Sequence, residues 1–191
     1  MKIAVDAMGG DYAPGEIVKG AVEAAAELGV EIILVGNSIL IREHLGDKEP
    51  ENITIVHCNE YVGMDEQPAA ALRKKKDASI AVATRLVKEG KADALISAGS
   101  TGAQMASSLI ILGRLPNVQR PAIATVLPCL KGNVVLLDVG ANTNCKPENL
   151  LEFAIMGSIY AERILNIDKP QVGLLNIGTE PTKGDPVYRE A

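Results

Sequence analysis

Residues 3–11, with the sequence IAVDAMGGD, decide the fold class of this 191-residue chain. They form an apolar run that passes directly into a polar turn with two glycines. Such runs are typical of strands buried on both faces of a parallel sheet, which do not alternate between apolar and polar residues. The same arrangement occurs three more times, at residues 94–102 (ALISAGSTG), 134–142 (VVLLDVGAN) and 172–180 (VGLLNIGTE).

The position of these four turns predicts a binding site. Ligands of open α/β sheets bind beyond the carboxyl ends of the strands, which is where the turns are expected. The repetition therefore predicts one rim that is lined with backbone N–H groups and suited to an anion.

Strand and helix patterns alternate along most of the chain. Two further runs, 122–127 and 134–139, are too close for a helical crossover, so we expect them to pair antiparallel. The predicted fold class is α/β, with three layers, a mostly parallel sheet and helices on both faces. We expect residues 1–191 to be the N-terminal part of a single larger α/β catalytic unit whose C-terminal portion is absent. The other predicted strands are 2–7, 31–35, 53–57, 94–97 and 171–176, and the predicted helices are 14–28, 38–45, 69–76, 78–88, 101–112 and 147–164.

Composition restricts the partners of the chain. The net charge is −5 and aromatic residues make up only 3%, which argues against a nucleic-acid-binding surface. The three cysteines, Cys58, Cys129 and Cys145, form no CxxC pair, so neither a disulfide framework nor a metal site is expected. A reducing, cytoplasmic compartment fits this pattern best.

The turn Ser97–Gly102 gives the clearest functional signal. It follows a predicted strand and leads directly into a helix, so free N–H groups and the positive end of the helix dipole would meet there. Ser100 and Thr101 add hydroxyl donors, and Gly99 and Gly102 keep the backbone accessible. The alternative is that a hydroxyl simply caps the helix; both interpretations share one geometry.

The second candidate turn is 138–148. Pro147 suits the first turn of a helix, which places Lys146 just before that helix, and Asn142 lies in the same loop. Both could bind an anion or polarise a carbonyl. The alternative is that Asn142 supplies a turn conformation and Lys146 points into solvent.

Two other turns contribute weaker candidates. Residues 176–184 contain Asn176, Thr179 and Lys183, and the lysine could equally neutralise an oxyanion or be a surface residue. The first turn contributes Gly9, Gly10 and Asp11 beside Asp6. Its carboxylates could serve in acid–base chemistry or hold a cation, although a turn or cap role for Asp11 is more common.

The densest positive charge is the run Arg73, Lys74, Lys75 and Lys76. Consecutive residues point in different directions around a helix, so all four cannot contact one small ligand. A solvated helix end is one interpretation, since cations are favoured there. A docking patch for an acidic protein or a phosphate is the other.

Taken together and in order, these segments resemble bacterial phosphate acyltransferases of phospholipid synthesis, the acyl-acyl carrier protein:phosphate transacylases. The likeness covers essentially the whole chain. The segments that carry it are 3–11, 73–76, 97–103, 136–142 with 146–148, and 173–180. Three places differ from the family pattern: Tyr12 stands where histidine is usual, Ser100 where asparagine is common, and Thr143-Asn144 where Val-Asp is frequent.

The resemblance implies a fold similar to isocitrate and isopropylmalate dehydrogenases and to phosphotransacetylase. It also implies a homodimer that transfers an acyl group from acyl carrier protein to inorganic phosphate, without a cofactor or metal. The acyl phosphate would feed a membrane glycerol-3-phosphate acyltransferase, so a cytoplasmic protein in peripheral contact with the inner face of the membrane is expected.

With this function, the candidate residues take roles. Asn142, Lys146 and Lys183 are the catalytic candidates, and residues 73–76 are the docking site for the acidic carrier protein. The predicted contacts to substrate or phosphate are Gly9, Gly10, Asp11, Gly99, Ser100, Thr101, Gly102, Asn176 and Thr179.

Two other functions remain as alternatives. One is a metal- and NAD-dependent decarboxylating dehydrogenase of the same fold, although no dinucleotide fingerprint is present. The other is a non-catalytic, membrane-associated scaffold for lipid synthesis.

Overall fold

The computed structural model describes residues 1–46, 50–130, 132–139, 142, 144–178, 180 and 183–191. These residues form two compact units, Met1–Gly113 and Arg114–Ala191. Unit 1 contains β1 (Lys2–Asp6), α1 (Gly15–Leu28), β2 (Glu31–Gly36), α2 (Ser38–Leu45), β3 (Ile53–His57), α3 (Pro68–Lys74), α4 (Ser79–Lys88), β4 (Ala94–Ser97) and α5 (Thr101–Ile111). Unit 2 contains β5 (Ala124–Cys129), β6 (Gly132–Leu137), α6 (Pro147–Arg163) and α7 (Pro186–Glu190).

Unit 1 is built on a four-stranded parallel sheet with the strand order β3-β2-β1-β4. The β1 strand is central, and its amino end is tied to β4 because the Lys2 N–H donates to Asp93 Oδ2 at 2.7 Å. All four strands run in the same direction, so their carboxyl ends lie along one edge of the sheet.

Both faces of this sheet are covered by helices. On one face, Val5, Ile32 and Leu34 pack in a core cluster with α1 and α2. Residues of opposite parity, Ala4 and Ile33 among them, pack on the other face with residues of α4. This alternation confirms the predicted parallel α/β layering in unit 1, because near-continuous apolar strands are needed when both faces are buried.

Local sequence signals explain where the helices begin and end. The α1 helix ends at Gly29, whose φ of 61° is left-handed, as is common after a helix. The α2 helix begins after Asn37, whose side chain accepts hydrogen bonds from the N–H groups of Ile39 and Leu40.

Unit 2 contains a β-hairpin and a long helix. The β5 and β6 strands pair antiparallel, as predicted from their short connection. Phe153 of α6 is buried. Glu152 of α6 accepts hydrogen bonds from the backbone N–H groups of Gln119 and Arg120 at 3.0 and 3.4 Å.

Two predictions about the sheet are wrong. Residues 171–176 form no strand, and Leu175 is 81% exposed. An apolar run indicates a tendency to be buried, but a strand also needs a partner, and the described residues supply none beside this run. The third turn follows an antiparallel hairpin, so the four turns do not all extend from one parallel sheet.

Candidate functional site

The turns that follow β1 and β4 are neighbours. Asp6, the last residue of β1, is in register with Ser97, the last residue of β4. The glycine-containing turns of both strands therefore begin at the same edge of the parallel sheet. This is the edge where open α/β sheets bind ligands.

A hydrogen-bond network joins the two turns below the surface. Ser97 Oγ donates to Asp6 Oδ2 at 2.8 Å, and the carboxylate is only 4% exposed. Its other oxygen accepts from the Met8 N–H at 3.3 Å, while Ser97 Oγ accepts from the Gly99 N–H at 3.1 Å. One buried carboxylate thus connects the backbones of both turns through a single hydroxyl.

Three glycines allow the turns to approach each other closely. A Cβ on Gly99 would lie 3.0 Å from Gly9 Cα, and a Cβ on Gly9 would lie 2.5 Å from Asp6 Oδ2. Gly10 has a φ of +120° and faces the Ala98 carbonyl, a conformation that residues with a side chain rarely adopt. Larger residues would separate the turns, so Gly9, Gly10 and Gly99 are brought together as predicted.

The amino end of α5 adjoins the two turns; we call the β1 turn, the β4 turn and this helix end the corner of unit 1. Ser100 Oγ accepts from the Ala103 N–H at 3.4 Å, so Ser100 is the N-cap. This bond leaves the hydroxyl hydrogen of Ser100 able to donate. The N–H groups of Thr101 and Gly102 lie in the first turn, where a helix has no internal acceptors for them. Ser100 can therefore cap the helix while its hydroxyl hydrogen and the first N–H groups of α5 stay able to donate to an anion.

Among the predicted residues of the first turn, Asp11 is exposed. Thr179 lies outside the described residues.

In unit 2, Asn142 is tied into its own loop. Its Nδ2 donates to Asp138 Oδ1 at 2.9 Å and to the Pro121 carbonyl at 3.1 Å. Both amide hydrogens are therefore used internally, and Asp138 itself has a positive φ of 60°. In this arrangement the side chain of Asn142 holds its own loop.

The neighbouring Cys145 and Lys146 mark the start of α6. Burial, followed by the nearby Asp138 carboxylate, raises the pKa of the Cys145 thiol, which disfavours the nucleophilic thiolate. Lys146 precedes the helix, and its N–H donates to the side chain of the buried Asn149 at 3.0 Å. The backbone of Lys146 is thus fixed by α6, as the position of Pro147 predicted.

The fourth turn brings Asn176 and Lys183 together. Asn176 Nδ2 donates to the Lys183 carbonyl at 3.3 Å, and the Lys183 N–H donates to the Glu180 carbonyl at 3.0 Å. These contacts close the loop through the backbone of Lys183. Its ammonium group is not needed for them, and the residue is exposed.

The basic run 73–76 divides into two kinds of residue. Arg73, Lys74 and Lys76 are exposed, whereas Lys75 is partly buried and forms a 2.6 Å ion pair with Glu66. The hydrogen bond from Lys75 lowers the pKa of the Glu66 carboxyl, and Lys75 Nζ also donates to the Tyr61 carbonyl at 3.0 Å. Lys75 therefore stabilises the 59–66 loop, and a partner would meet the other three cations.

Sequence reasoning gave no role to residues at the carboxyl end of β3. There, a cleft of about 510 Å³ is lined by His57, Cys58, Asn59, Glu60, Asp77 and Arg85, among others. The Ser38 N–H donates to His57 Nδ1, so the ring hydrogen lies on Nε2 and donates to Asn59 Oδ1 at 3.1 Å. Arg85 is also held, by a 2.9 Å bond to Asp77 Oδ1. The polar side chains of this cleft are therefore hydrogen-bonded in pairs, His57 with Asn59 and Arg85 with Asp77.

Sequence reasoning also missed the partnership of Asp6 with Ser97. A signal was present, because both residues are polar and each ends an apolar run. What the sequence does not give is the adjacency of β1 and β4, which makes the two side chains neighbours.

Comparison with protein families and curated proteins gives a consistent result. The family model described as "Fatty acid synthesis protein" matches residues 1–191. A phosphate acyltransferase from Desulforamulus reducens is 62% identical over 186 residues, which cover 97% of this chain and 56% of the relative. A phosphate acyltransferase from Desulfitobacterium hafniense is 63% identical with the same coverage. The chain thus spans a little over half the length of these relatives, and they favour neither the dehydrogenase nor the scaffold alternative.

Solved structures support the fold. EutD phosphotransacetylase from Staphylococcus aureus matches with a TM-score of 0.69 and 20% identity, over 100% of this chain and 62% of that one. A branched-chain phosphotransacylase from Enterococcus faecalis matches with a TM-score of 0.52 and 19% identity, over 85% of this chain and 51% of that one. No helix in the described part of the chain is both long and apolar enough to cross a membrane.

Proposed function

The chain belongs to the fatty acid synthesis protein family. On this premise we propose that the full-length protein is an acyltransferase. The reaction moves a fatty acyl group from acyl carrier protein to inorganic phosphate and gives an acyl phosphate for phospholipid synthesis. Support comes from relatives that are 62–63% identical and are named phosphate acyltransferase. Because the chain covers 56% of their length, the activity is proposed for the full-length protein.

One structural observation carries the proposal: the β1 and β4 turns are joined through Asp6 and Ser97 directly below the amino end of α5. In this arrangement the Ser100 and Thr101 hydroxyls and the first N–H groups of α5 bind phosphate. Donors at a helix amino terminus and the helix dipole both favour an anion.

The chemical step is direct transfer. A phosphate oxygen attacks the thioester carbonyl carbon, the carbon–sulfur bond breaks, and the proton of monohydrogen phosphate passes to the departing thiolate. Phosphate is already a nucleophile at neutral pH, so the protein mainly aligns two reactants and stabilises the developing oxyanion. A covalent acyl-cysteine is unnecessary, which agrees with the raised pKa of Cys145.

The residues of unit 2 take supporting roles in this proposal. Lys183 is the cationic clamp, since its exposed ammonium group is free of the backbone bonds that close its loop. Lys146 contacts the phosphate or the carbonyl oxygen. Asn142 orders the loop that leads to Lys146 through its bonds to Asp138 and Pro121. Asn176 of unit 2 shapes the substrate contacts, as do Gly9, Gly10 and Gly102 of unit 1.

The partners follow from the same premise. Acyl carrier protein is acidic, and the exposed cations Arg73, Lys74 and Lys76 give a net-negative chain a local docking patch. We further propose a fold similar to isocitrate dehydrogenase, one larger catalytic unit, and a homodimer. The protein would be cytoplasmic, in peripheral contact with the membrane, and would supply a glycerol-3-phosphate acyltransferase.

The deciding experiment incubates acyl-acyl carrier protein and phosphate with the full-length protein and traps acyl phosphate as a hydroxamate with hydroxylamine. Wild-type protein is expected to form hydroxamate only when phosphate is present. Lys183→Ala and Asn142→Ala should each reduce the rate by about tenfold or more. Absence of phosphate-dependent hydroxamate would reject the function, whereas normal rates in both variants would reject only these residue roles.

A further inference from the structure

We propose that Asp6 and Ser97 are positioning residues, which fix the β4–α5 turn in the conformation that binds phosphate. This inference rests on the proposed function and assigns a task to two side chains that do not themselves contact the reactants. Asp6 is 4% exposed and lies below both glycine turns, so its carboxylate acts through its neighbours.

The direction of each hydrogen bond supports this role. A carboxylate oxygen accepts, so the only hydrogen of the Ser97 hydroxyl is directed to Asp6 Oδ2. The lone pairs of Ser97 Oγ then face the Gly99 N–H, which donates to it at 3.1 Å. Asp6 therefore sets the orientation of the hydroxyl, and the hydroxyl sets the orientation of the peptide at Gly99.

The orientation of that peptide matters because the proposed phosphate ligands follow it at once. Ser100 is the next residue and is the N-cap of α5, and Thr101 begins the helix. When the Gly99 N–H is held inward, the chain leaves the turn in one direction and the donors of Ser100 and Thr101 share one focus. Without the Ser97 hydroxyl, the flexible Ala98-Gly99 segment can rotate, and the donors lose this common focus.

The same two side chains also support the opposite turn. A Cβ on Gly9 would meet Asp6 Oδ2 at 2.5 Å and Ser97 Oγ at 2.8 Å, so the backbone of Gly9 rests directly on this pair. The Met8 N–H is bonded to the second carboxylate oxygen. The pair thus positions two turns from strands that are far apart in sequence.

The test compares two serines of unit 1 in the full-length protein, the partly buried Ser97 and the buried Ser107. Ser97→Ala removes the hydroxyl below the turn, whereas Ser107→Ala removes a hydroxyl of α5 that bonds to Thr84 Oγ1 at 2.8 Å, away from the turn. Ser97→Ala is expected to raise KM for phosphate about three- to tenfold, which corresponds to one lost hydrogen bond. KM for acyl carrier protein should stay unchanged, and Ser97→Thr, which keeps the hydroxyl, should restore KM for phosphate.

Ser107→Ala is the control for a merely structural effect. It should lower thermal stability and leave KM for phosphate at the wild-type value. Asp6→Asn tests the other half of the pair, because an amide cannot accept from both Ser97 and Met8, and we expect a similar rise in KM for phosphate.

The outcomes separate the two proposals. If wild-type protein forms no acyl phosphate, the proposed function fails. If wild-type protein is active and Ser97→Ala changes only stability, as Ser107→Ala does, the positioning role is rejected. Should Ser97→Ala not fold, Ser97→Cys decides, since a thiol keeps the volume but is a weak donor and acceptor; an unchanged KM for phosphate in that variant rejects the role.

Discussion

Gly9→Ala should be among the most damaging single-methyl additions to unit 1. The new Cβ would lie 2.5 Å from Asp6 Oδ2 and 2.8 Å from Ser97 Oγ, against a normal separation of about 3.5 Å. Neither oxygen is the end of a long flexible side chain, and the Asp6 carboxylate is 4% exposed. The methyl group can be accommodated only if the Ser97–Asp6 hydrogen bond breaks or the β1 turn moves.

The magnitude follows from these two costs. Overpacking costs about 1–3 kcal/mol and a lost hydrogen bond about 0.5–1.5 kcal/mol, so we expect Gly9→Ala to lower the free energy of unfolding by about 2–4 kcal/mol. Gly20→Ala is the matched control, because Gly20 lies inside α1 and a Cβ there meets nothing within 4 Å. The free energy of unfolding of that variant should rise by about 0.5–1 kcal/mol, because alanine has a higher helix propensity than glycine.

The assay is urea unfolding followed by far-ultraviolet circular dichroism, since the chain has no tryptophan to report fluorescence. The rate of acyl hydroxamate formation, measured on the folded Gly9→Ala protein, should fall by about tenfold or more. If the free energies of unfolding of Gly9→Ala and wild type agree within about 0.5 kcal/mol, the close approach of the two turns is not a real constraint and the reasoning fails.

Three further predictions concern other parts of unit 1. Thr84→Val keeps the shape of a buried side chain but removes the partner of the Ser107 hydroxyl, so it should lower the free energy of unfolding by about 1–3 kcal/mol. The double variant with Ser107→Ala should lose less free energy of unfolding than the sum of the two single variants, and strict additivity would contradict the pairing. Burial raises the pKa of the Cys58 thiol from 9.0 to about 11. Between these pH values the thiol of the unfolded protein loses its proton first, so the free energy of unfolding should fall as pH rises, by on the order of 2 kcal/mol. Cys58→Ala should remove this dependence on pH in urea titrations. Reversing the charges of Arg73 and Lys74 should raise KM for acyl carrier protein severalfold and weaken its salt dependence. Reversing the charge of Lys19, the exposed lysine of α1, should do neither, and equal behaviour of the two variants would count against a docking patch.

The parallel layering of unit 1 could be predicted because its signals are local. Residues 32–35 are apolar throughout and residues 53–57 are mostly apolar, and the α1 helix ends at a glycine where the sequence indicates an end. The antiparallel pairing of β5 with β6 followed from the short connection alone. In each case the decisive information lies within a few residues of the element that it specifies.

The failures needed information about distant parts of the chain. Residues 171–176 have the composition of a buried strand, yet Leu175 is 81% exposed because no described strand pairs with this run. The partnership of Asp6 with Ser97 depends on the strand order, which composition and periodicity do not determine. Ser100 was predicted both as a cap and as an anion ligand; the structure shows the cap, and the ligand role stays a prediction.

The hydrogen bond between Asp6 and Ser97 also has a consequence for how the protein folds. It joins residues that are 91 positions apart, so it closes a long loop and requires β4 to dock against β1 after the chain has passed through β2 and β3. The loop-closure entropy of a contact with such high sequence separation must be overcome before the contact is made, which slows folding. During synthesis the β1 and β4 turns therefore cannot meet until β4 has emerged, and a chain interrupted before that point would hold a partly formed sheet without the Asp6–Ser97 bond.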